Sequence, residues 1–429
     1  MKATINSTTY TSLSNITFAP ETDITGDRTP INSATIEIIT TDDISAGQYL
    51  YLYDDANTLW AKYWIVYAEH VNENTVRIDA ESMLRLLGRD MKDAVMYSAE
   101  PIADVLEDIF ETVGSSGYTL DSQLSSATLS GFCPQQSAKH RLQWVCFAIG
   151  AYIKDSFTDK IEIKRVGNNS TLIPLSKTFW RPKVTYGDYV TAVNITAFSF
   201  AVGTPSSTDE YVEDGTNTYI VTRQNFRLRN PDIPESTFIH EIHFDDIMLI
   251  NHDNVSSMLV FFSTYYFKRM SVEMDVVNNA EYHPGDLVVA YTGETTMAMG
   301  YIDSADFSFG VQARSRLKLT PVEEVECATL TVTCEFAGNT EIPKTVLSKK
   351  EYVFPVGYVY QITNLYFDCV FGEHRYVFRP TTDEVTGTMP SDGASVTVSY
   401  AIALDFAKHK LDVISVDGIT AADGVVAIT

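Results

Sequence analysis

The spacing of hydrophobic residues divides this chain into β-type and helical stretches. Residues 1 to about 80 follow the two-residue period of strands, in which Ile36 and Ile38 alternate with polar neighbours. Further strand-like runs, separated by turn residues, lie at 49–53, 59–68 and 75–80. This pattern predicts an antiparallel β-meander over the first eighty residues.

The period changes to that of a helix after residue 80. A short helix is predicted at Met83–Leu87, ended by Gly88, and a longer one after Pro101. The longer helix has a single apolar stripe at helical spacing, formed by Ile102, Val105, Leu106, Ile109, Phe110 and Val113. One apolar stripe on an otherwise polar helix predicts a surface helix that packs against a core.

The stretch from Ser137 to Val166 predicts a buried helix followed by a hairpin. Ser137 can cap the amino-terminal end of the helix, and Gly150 can adopt the left-handed conformation that ends it. Apolar residues occupy most sides of this helix, which predicts burial. Ile161 and Ile163 then alternate with polar residues as in a strand with one dry face.

Strand patterns return after Phe179. They lie at 183–186 and 190–200, a helix with one apolar face is predicted at about 253–270, and residues 278–310 read as turn, strand, turn and strand. The last hundred residues have strands of their own, predicted at Cys327–Phe336 and Ala394–Ala401.

Two of these β regions share an internal match. Gly285, Thr296 and Tyr301 follow Gly47, Thr58 and Tyr63 at a constant offset of 238 residues. The match is free of gaps and predicts two related β units. Chance similarity between two ordinary hairpins is the alternative interpretation.

Composition supports a mainly β protein that divides into several units. The chain has 429 residues, too many for one core, and contains 24 Tyr and 22 Phe, which suit half-buried sheet surfaces. The formal net charge of −25 disfavours an electrostatic grip on nucleic acid or anionic lipid. Neither a bilayer-spanning apolar run nor a signal peptide is recognisable, so we expect nothing in the sequence to export or anchor the chain by itself.

The order of these features resembles the phage tail hub family. That family includes the baseplate hub of contractile tails and the amino-terminal part of tail-tip proteins, and prophages encode similar chains. The resemblance covers residues 1 to about 325 and is carried by two segments, SAKHRLQWVCFAIGAYIKDSFTDKIEIKR and HPGDLVVAYTGETTMAMGYIDSADF. Its best anchors are Arg141-Leu142 with Gly150, and Pro284-Gly285-Asp286 with Gly300.

The resemblance implies a mainly β fold with four domains. Residues 1–82 would form a first tail-tube-like β-barrel, 83–177 an α+β insertion, 178–325 a second barrel with the helix at 253–270, and 326–429 a separate β module. The implied function is that of a structural hub or tail-tip component, made in the bacterial cytoplasm and located in the virion tail. As a homotrimer it would join the tail tube to distal tail or baseplate proteins and line a channel for DNA or a tape-measure protein.

The carboxy-terminal module departs from the hub pattern. Residues 328–401 resemble the small mucin-binding-type or immunoglobulin-like β modules of Gram-positive surface proteins, which implies a spacer or a site for a cell-surface glycan. The alternatives to a structural tail protein are therefore a β-rich carbohydrate-binding adhesin, using this module or the Trp60 and Trp64 region, and a polysaccharide hydrolase.

Candidate chemistry is sparse, and we expect no enzyme, no cofactor and no catalytic, cofactor-binding or metal site. The sole histidine cluster comprises His240, His243 and His252 with Asp245 and Asp246. His240 and His243 lie three apart in a strand-like segment, where they point to opposite faces, so this spacing disfavours a metal site. The acidic pairs lie in turns or linkers, at Asp42-Asp43, Asp54-Asp55 and Glu323-Glu324. The five cysteines lack a CxxC motif and are interpreted as reduced and structural.

Overall fold

The computed structural model shows a protein built mainly from β-strands. It describes residues 1–429 except 115–116, 168, 180, 235–237, 280, 310–312, 337, 339–343, 372–373, 380–383, 406–409, 417–425 and 429. The chain forms two compact units. Unit 1 comprises Met1–Thr292 and Met299–Glu323, and unit 2 comprises Gly293–Ala298 and Glu324–Thr429.

The first eighty residues form the predicted antiparallel meander. Its strands are β1 (Lys2–Ile5), β2 (Thr8–Tyr10), β3 (Leu13–Phe18), β4 (Ser33–Ile39), β5 (Tyr49–Tyr53), β6 (Leu59–Asn72) and β7 (Thr75–Glu81). They are hydrogen-bonded in the order β3, β4, β7, β6, β5, β1, β2. Ile36 and Ile38 are fully buried in β4, as their alternation with polar residues predicts.

The next segment combines three helices with short strands. It contains α1 (Leu84–Leu87), β8 (Met91–Lys92), β9 (Val95–Pro101), α2 (Ile102–Ile109), β10 (Tyr118–Leu120), β11 (Thr128–Cys133), β12 (Gln136–Ser137), α3 (Ala138–Ile149), β13 (Ala151–Lys154) and β14 (Ile161–Arg165). The predicted caps of α3 are confirmed: Ser137 Oγ accepts the His140 N–H at 3.3 Å, and Gly150 has φ 66°.

Helix α2 ends four residues before the predicted Val113. Beyond Ile109 the backbone tightens, and the Val113 N–H donates to the Phe110 carbonyl at 3.0 Å. The predicted hairpin after α3 is confirmed, since β13 and β14 pair antiparallel around the turn at 157–160.

Residues 170–325 contain two sheet systems and one helix. The strands are β15 (Ser170–Leu172), β16 (Lys183–Tyr186), β17 (Ala192–Val202), β18 (Tyr211–Glu213), β19 (Thr218–Arg229), β20 (Glu241–Phe244), β21 (Met270–Val277), β22 (Leu287–Tyr291), β23 (Met297–Ser308) and β24 (Arg314–Val325), with α4 (Val255–Tyr266) before β21. Strands β18, β19, β17 and β20 form a separate four-stranded sheet. The others extend the sheet of the first eighty residues.

One apolar core connects the helical segment to α4 and the four-stranded sheet. Its buried members come from α1, α2 and α3, from β17 and β20, and from α4. Phe147 of α3 stacks on Phe262 of α4 with ring centroids 4.3 Å apart, and both side chains are fully buried. The division of residues 1–325 into three domains stays a prediction.

Unit 2 contains its own small sheets. Its remaining strands are β25 (Cys327–Phe336), β26 (Thr345–Pro355), β27 (Val359–Ile362), β28 (Phe367–Phe371), β29 (His374–Phe378), β30 (Val385–Thr388), β31 (Val396–Asp405), β32 (Lys410–Val416) and β33 (Val426–Ile428). Strand β25 pairs antiparallel with β26 and parallel with β31. Leu330, Val332, Cys334 and Phe336 are buried, which confirms the alternation predicted for β25.

Candidate assembly surfaces

The two β regions of unit 1 have the same strand order. Strands β4, β7, β6 and β5 are neighbours in the first, and β21, β24, β23 and β22 are neighbours in the same order in the second. Strand β5 spans residues 49–53 and β22 spans 287–291, so both ends differ by the predicted offset of 238. We call the two sets repeat A (β1–β7) and repeat B (β15, β16 and β21–β24).

Two equivalent glycines precede β5 and β22. Gly47 has φ 88° and Gly285 has φ 92°, a conformation that L side chains rarely adopt. The Gly47 N–H donates to the Ile65 carbonyl at 3.0 Å, and the Gly285 N–H donates to the Ile302 carbonyl at 2.7 Å. The offset therefore falls to 237 residues beyond the hairpin.

The change of the offset from 238 to 237 residues corrects the match found in the sequence. The equivalence of Tyr63 with Tyr301 is wrong, because Gly300 occupies the place of Tyr63 once the offset is 237. A Cβ atom at Gly300 would lie 2.6 Å from Val322 Cγ2, so this position in repeat B has no room for a side chain. The extra residue lies in β6 of repeat A, where the pairing with β5 shifts register between Leu52 and Tyr53. A gap-free comparison cannot register that.

The helical segment, here called the insertion (residues 83–166), contacts both repeats. Towards repeat A, Ser156 and Tyr63 hydroxyls lie 2.8 Å apart, and Asn32 Nδ2 donates to Asp155 Oδ1 at 2.5 Å. Burial raises the pKa of Asp155 to about 6, although hydrogen bonds from Asn32 and Ser156 act in the opposite direction. A buried carboxyl group thus lies at the contact between the insertion and repeat A.

Towards repeat B, the insertion contacts the glycine turn before β22. The Tyr152 hydroxyl donates to the Gly285 carbonyl at 3.3 Å, and the buried Tyr152 ring covers that glycine. A Cβ at Gly285 would lie 2.6 Å from Tyr152 Cε2. Hairpin β13–β14 and its flanks therefore contact both repeats and fix their positions relative to the insertion.

No protein-family model matches this chain, and no curated protein matches it. Solved structures do. The tail protein from Neisseria meningitidis MC58 superposes with a TM-score of 0.54 at 9% identity, covering 74% of this chain and 95% of that protein. The prophage MuSo2 43 kDa tail protein from Shewanella oneidensis gives a TM-score of 0.52 at 8% identity, covering 74% and 97%.

This chain has the fold of phage tail proteins. The resemblance predicted from the sequence is confirmed at the level of the fold, as is the mainly β architecture. Prophage tail protein gp18 from Listeria monocytogenes EGD-e is also similar, with a TM-score of 0.49 at 12% identity over 73% of this chain and 90% of that one.

Within this tail-protein fold the predicted histidine cluster does not converge. His240 Nδ1 lies 3.2 Å from the Tyr189 carbonyl, whereas the His252 ring packs edge-on against Phe226 at 5.8 Å. His243 lies 3.9 Å from carboxylates on either side of it in sequence, Glu241 and Asp245. Across the described residues, no three His, Cys, Asp or Glu side chains meet in a metal-binding group.

The acidic pairs predicted from the sequence form loop hydrogen bonds and ion pairs. Asp54 Oδ1 accepts the Thr58 N–H at 2.7 Å, and its pKa is lowered because hydrogen bonds from Thr58 and Trp60 outweigh the effect of partial burial. The other contacts are between Asp42 and Tyr10, Asp43 and His70, Asp55 and the Met1 amino group, and Glu323 and Lys268. None of these contacts places two carboxylates across a cleft.

The aromatic residues of repeat A divide between core and surface. Trp60 is 3% exposed and packs with Phe18, Phe157 and Phe307, so it does not form an open platform for a sugar. Tyr67, by contrast, is half exposed. No helix among the described residues has the length and apolarity needed to cross a bilayer.

Sequence reasoning missed the exposed strand edges of the tail-protein fold. Strand β16 lies at one end of the sheet, and its Tyr186 and the nearby Tyr189 are 55% and 47% exposed. Arg269 lies over both rings, 5.2 Å and 4.1 Å from their centroids. Strand periodicity identifies which face is dry but carries no information about which strand lacks a neighbour, so this surface gave no signal.

Proposed function

We propose that this chain is a structural component of a phage-type or prophage-type tail, acting as a hub or tail-tip protein that connects the tail tube to distal tail or baseplate proteins. The observation that carries the proposal is the pair of repeats with one strand order. A homotrimer of a chain with two repeats presents six similar units, and six units match a sixfold tube. The coarser part of the proposal also agrees with the tail-protein fold.

The proposal assigns no catalytic residue. Asp54, Asp55 and Glu323 take part in loop hydrogen bonds and ion pairs, and the working parts would be strand edges and loops at subunit contacts. The net charge of −25 suits the lining of a channel through which DNA passes, because a negative wall does not retain a polyanion.

For unit 2 we propose the role of a spacer in the assembled tail. The alternative, a site for a cell-surface glycan, predicts binding of the intact chain on a glycan array. Saturable binding there would favour the adhesin interpretation over the spacer.

Solution mass tests the proposed assembly. We expect light scattering and sedimentation at increasing protein concentration to approach three times 47.8 kDa, and electron microscopy to show rings with a central opening. A chain that remains at 47.8 kDa at every concentration, with no rings on the grid, would contradict the trimer.

A further inference from the structure

Repeat B is joined to repeat A inside the chain by a short antiparallel strand contact, which we call the internal seam. The outer half of β23 runs against the end of β3 and the residues after it. Facing pairs across the seam are Phe18 and Phe307, Pro20 and Ala305, Glu21 and Ser304, and Thr22 and Asp303. The Thr22 N–H donates to the Asp303 carbonyl at 2.9 Å, and the Ala305 N–H donates to the Pro20 carbonyl at 3.0 Å.

The internal seam is also a packed apolar contact. Phe18 and Phe307 are both buried, with stacked rings whose centroids lie 5.6 Å apart. It uses strand β23 from repeat B and strand β3 from repeat A. The equivalents of these two strands in the opposite repeats are β6 and β16.

Residue equivalences follow from the strand registers. Phe18 pairs with Ala34 in β4, and Val184 pairs with Val272 in β21, while Ala34 and Val272 are related by the offset of 238. Val184 is therefore the counterpart of Phe18. On the other strand the offset of 237 makes His70 the counterpart of Phe307 and Glu69 the counterpart of Asp306.

Both counterpart strands have an unpaired side. Among the described strands β16 terminates the sheet, and the Gly187 N–H donates inward to the Arg269 carbonyl, so the alternating backbone groups of Val184 and Tyr186 point outward. Strand β6 pairs with β5 only as far as Ile65, and in the described chain residues 66–72 pair with β7 alone. Each edge therefore offers a row of backbone donors and acceptors.

The same two edges carry exposed apolar side chains. Tyr67 and Val71 of β6 are 50% and 53% exposed, and Tyr186 of β16 is 55% exposed. Glu69 lies on the β6 edge, and the β16 edge carries charges of both signs, Lys183 paired with Glu273 at 3.5 Å and Asp188 just after the end of the strand. Exposed apolar residues along open strand edges are typical of a surface that another chain covers.

We propose that residues 66–70 of β6 in one copy of this chain pair antiparallel with residues 184–188 of β16 in the next copy, repeating the internal seam between subunits. Val66, Ala68 and His70 would then lie opposite Asp188, Tyr186 and Val184. The contact is head-to-tail, so it must close into a ring or extend as a filament. Closure at three copies rests on the proposed function.

A designed disulfide tests this register. Glu69 and Thr185 correspond to Asp306 and Ala19, which face each other between two hydrogen-bonded positions of the internal seam. Opposed residues of that kind have Cα atoms about 4.5 Å apart, within disulfide reach. We expect the double variant E69C/T185C, oxidised with copper phenanthroline, to give a covalent trimer on non-reducing gels that dithiothreitol reverses. The mismatched control E69C/V202C places its second cysteine on β17, at a residue 72% exposed, and should cross-link at least about tenfold less.

A second variant avoids reliance on cysteine chemistry. Tyr67→Asp introduces a charge on the β6 edge, and we expect it to weaken self-association at least about tenfold by sedimentation, while Val202→Asp leaves it unchanged. The proposed contact between copies would be overturned if the wild type forms trimers but E69C/T185C cross-links no more than the control. That result would leave the proposed function standing. If the wild type is monomeric at every concentration and the double variant does not cross-link, the contact between copies and the proposed function are both overturned. Efficient cross-linking of a transiently associating chain would support the seam.

Discussion

Gly47 and Gly285 have the same left-handed backbone conformation in different surroundings. Both have a positive φ, and each lies two residues before a strand, β5 in repeat A and β22 in repeat B. A Cβ added at Gly47 would meet nothing closer than Trp64 Cζ2 at 3.9 Å, whereas Gly285 lies under the ring of Tyr152. Both positions require a positive φ, but only Gly285 also lacks room for a Cβ atom, because Tyr152 of the insertion packs on it.

This difference predicts unequal effects of the same substitution. Gly47→Ala should cost about 1–2 kcal/mol of unfolding free energy, the cost of a left-handed L residue. Gly285→Ala should cost about 2–5 kcal/mol, because the Tyr152 ring must also move. Urea denaturation followed by circular dichroism measures the unfolding free energy of both variants. Equal losses would show that the insertion does not restrict the turn at Gly285.

At the scale of elements, hairpin β13–β14 reaches repeat A through Asp155. This carboxyl group is 6% exposed and accepts a hydrogen bond from Asn32, which lies just before β4. Its neighbours at the contact are polar, so the hairpin is positioned by hydrogen bonds as well as by apolar packing. Burying a carboxyl group there makes the contact sensitive to pH.

The raised pKa of Asp155 sets the direction of that sensitivity. With a pKa of about 6 in the folded chain and about 3.9 in the unfolded chain, the folded state retains a proton between pH 4 and 6 that the unfolded state has released. Stability therefore falls as the pH rises through this window, by up to about 3 kcal/mol, and no penalty remains below pH 4. Asp155→Asn should remove this component.

Denaturation midpoints at pH 4, 5, 6 and 7 measure the effect. We expect the stability difference between Asp155→Asn and wild type to grow in favour of the variant as the pH rises. Asp159→Asn, on the exposed turn of the same hairpin, is the matched control and should follow wild type at every pH. Parallel profiles for wild type and Asp155→Asn would mean that this carboxyl group titrates normally.

For the whole molecule, the dominant property is its acidity. The chain carries 56 acidic and 31 basic residues, and a trimer would triple the excess negative charge. Non-specific affinity for DNA comes from cations that neutralise phosphates, and a strongly acidic surface lacks that contribution. A channel lined by the proposed trimer would let a polyanion pass without holding it.

We therefore expect duplex DNA to bind the intact protein more weakly than roughly 10⁻⁴ M at about 150 mM salt, the weak limit of ordinary non-specific binding. Fluorescence anisotropy of a labelled duplex measures this directly. Saturable binding with a dissociation constant below roughly 10⁻⁵ M would contradict a channel that does not retain DNA. It would indicate a local basic surface on a chain whose net charge is negative.

The sequence by itself determined the local elements and their resemblance to a known fold. Ser137 and Gly150 fixed the ends of α3, the alternation around Ile36 fixed the dry face of β4, and the 238-residue offset related β5 to β22, because these signals depend on neighbours in the chain. Only the tertiary structure decided that Gly300 replaces Tyr63, that Tyr152 covers Gly285, and that the outer part of β6 and the edge of β16 have no neighbouring strand among the described residues. Those features depend on tertiary contacts, such as that between Tyr152 and Gly285, 133 positions apart in the chain, and no local period records which strand has a neighbour.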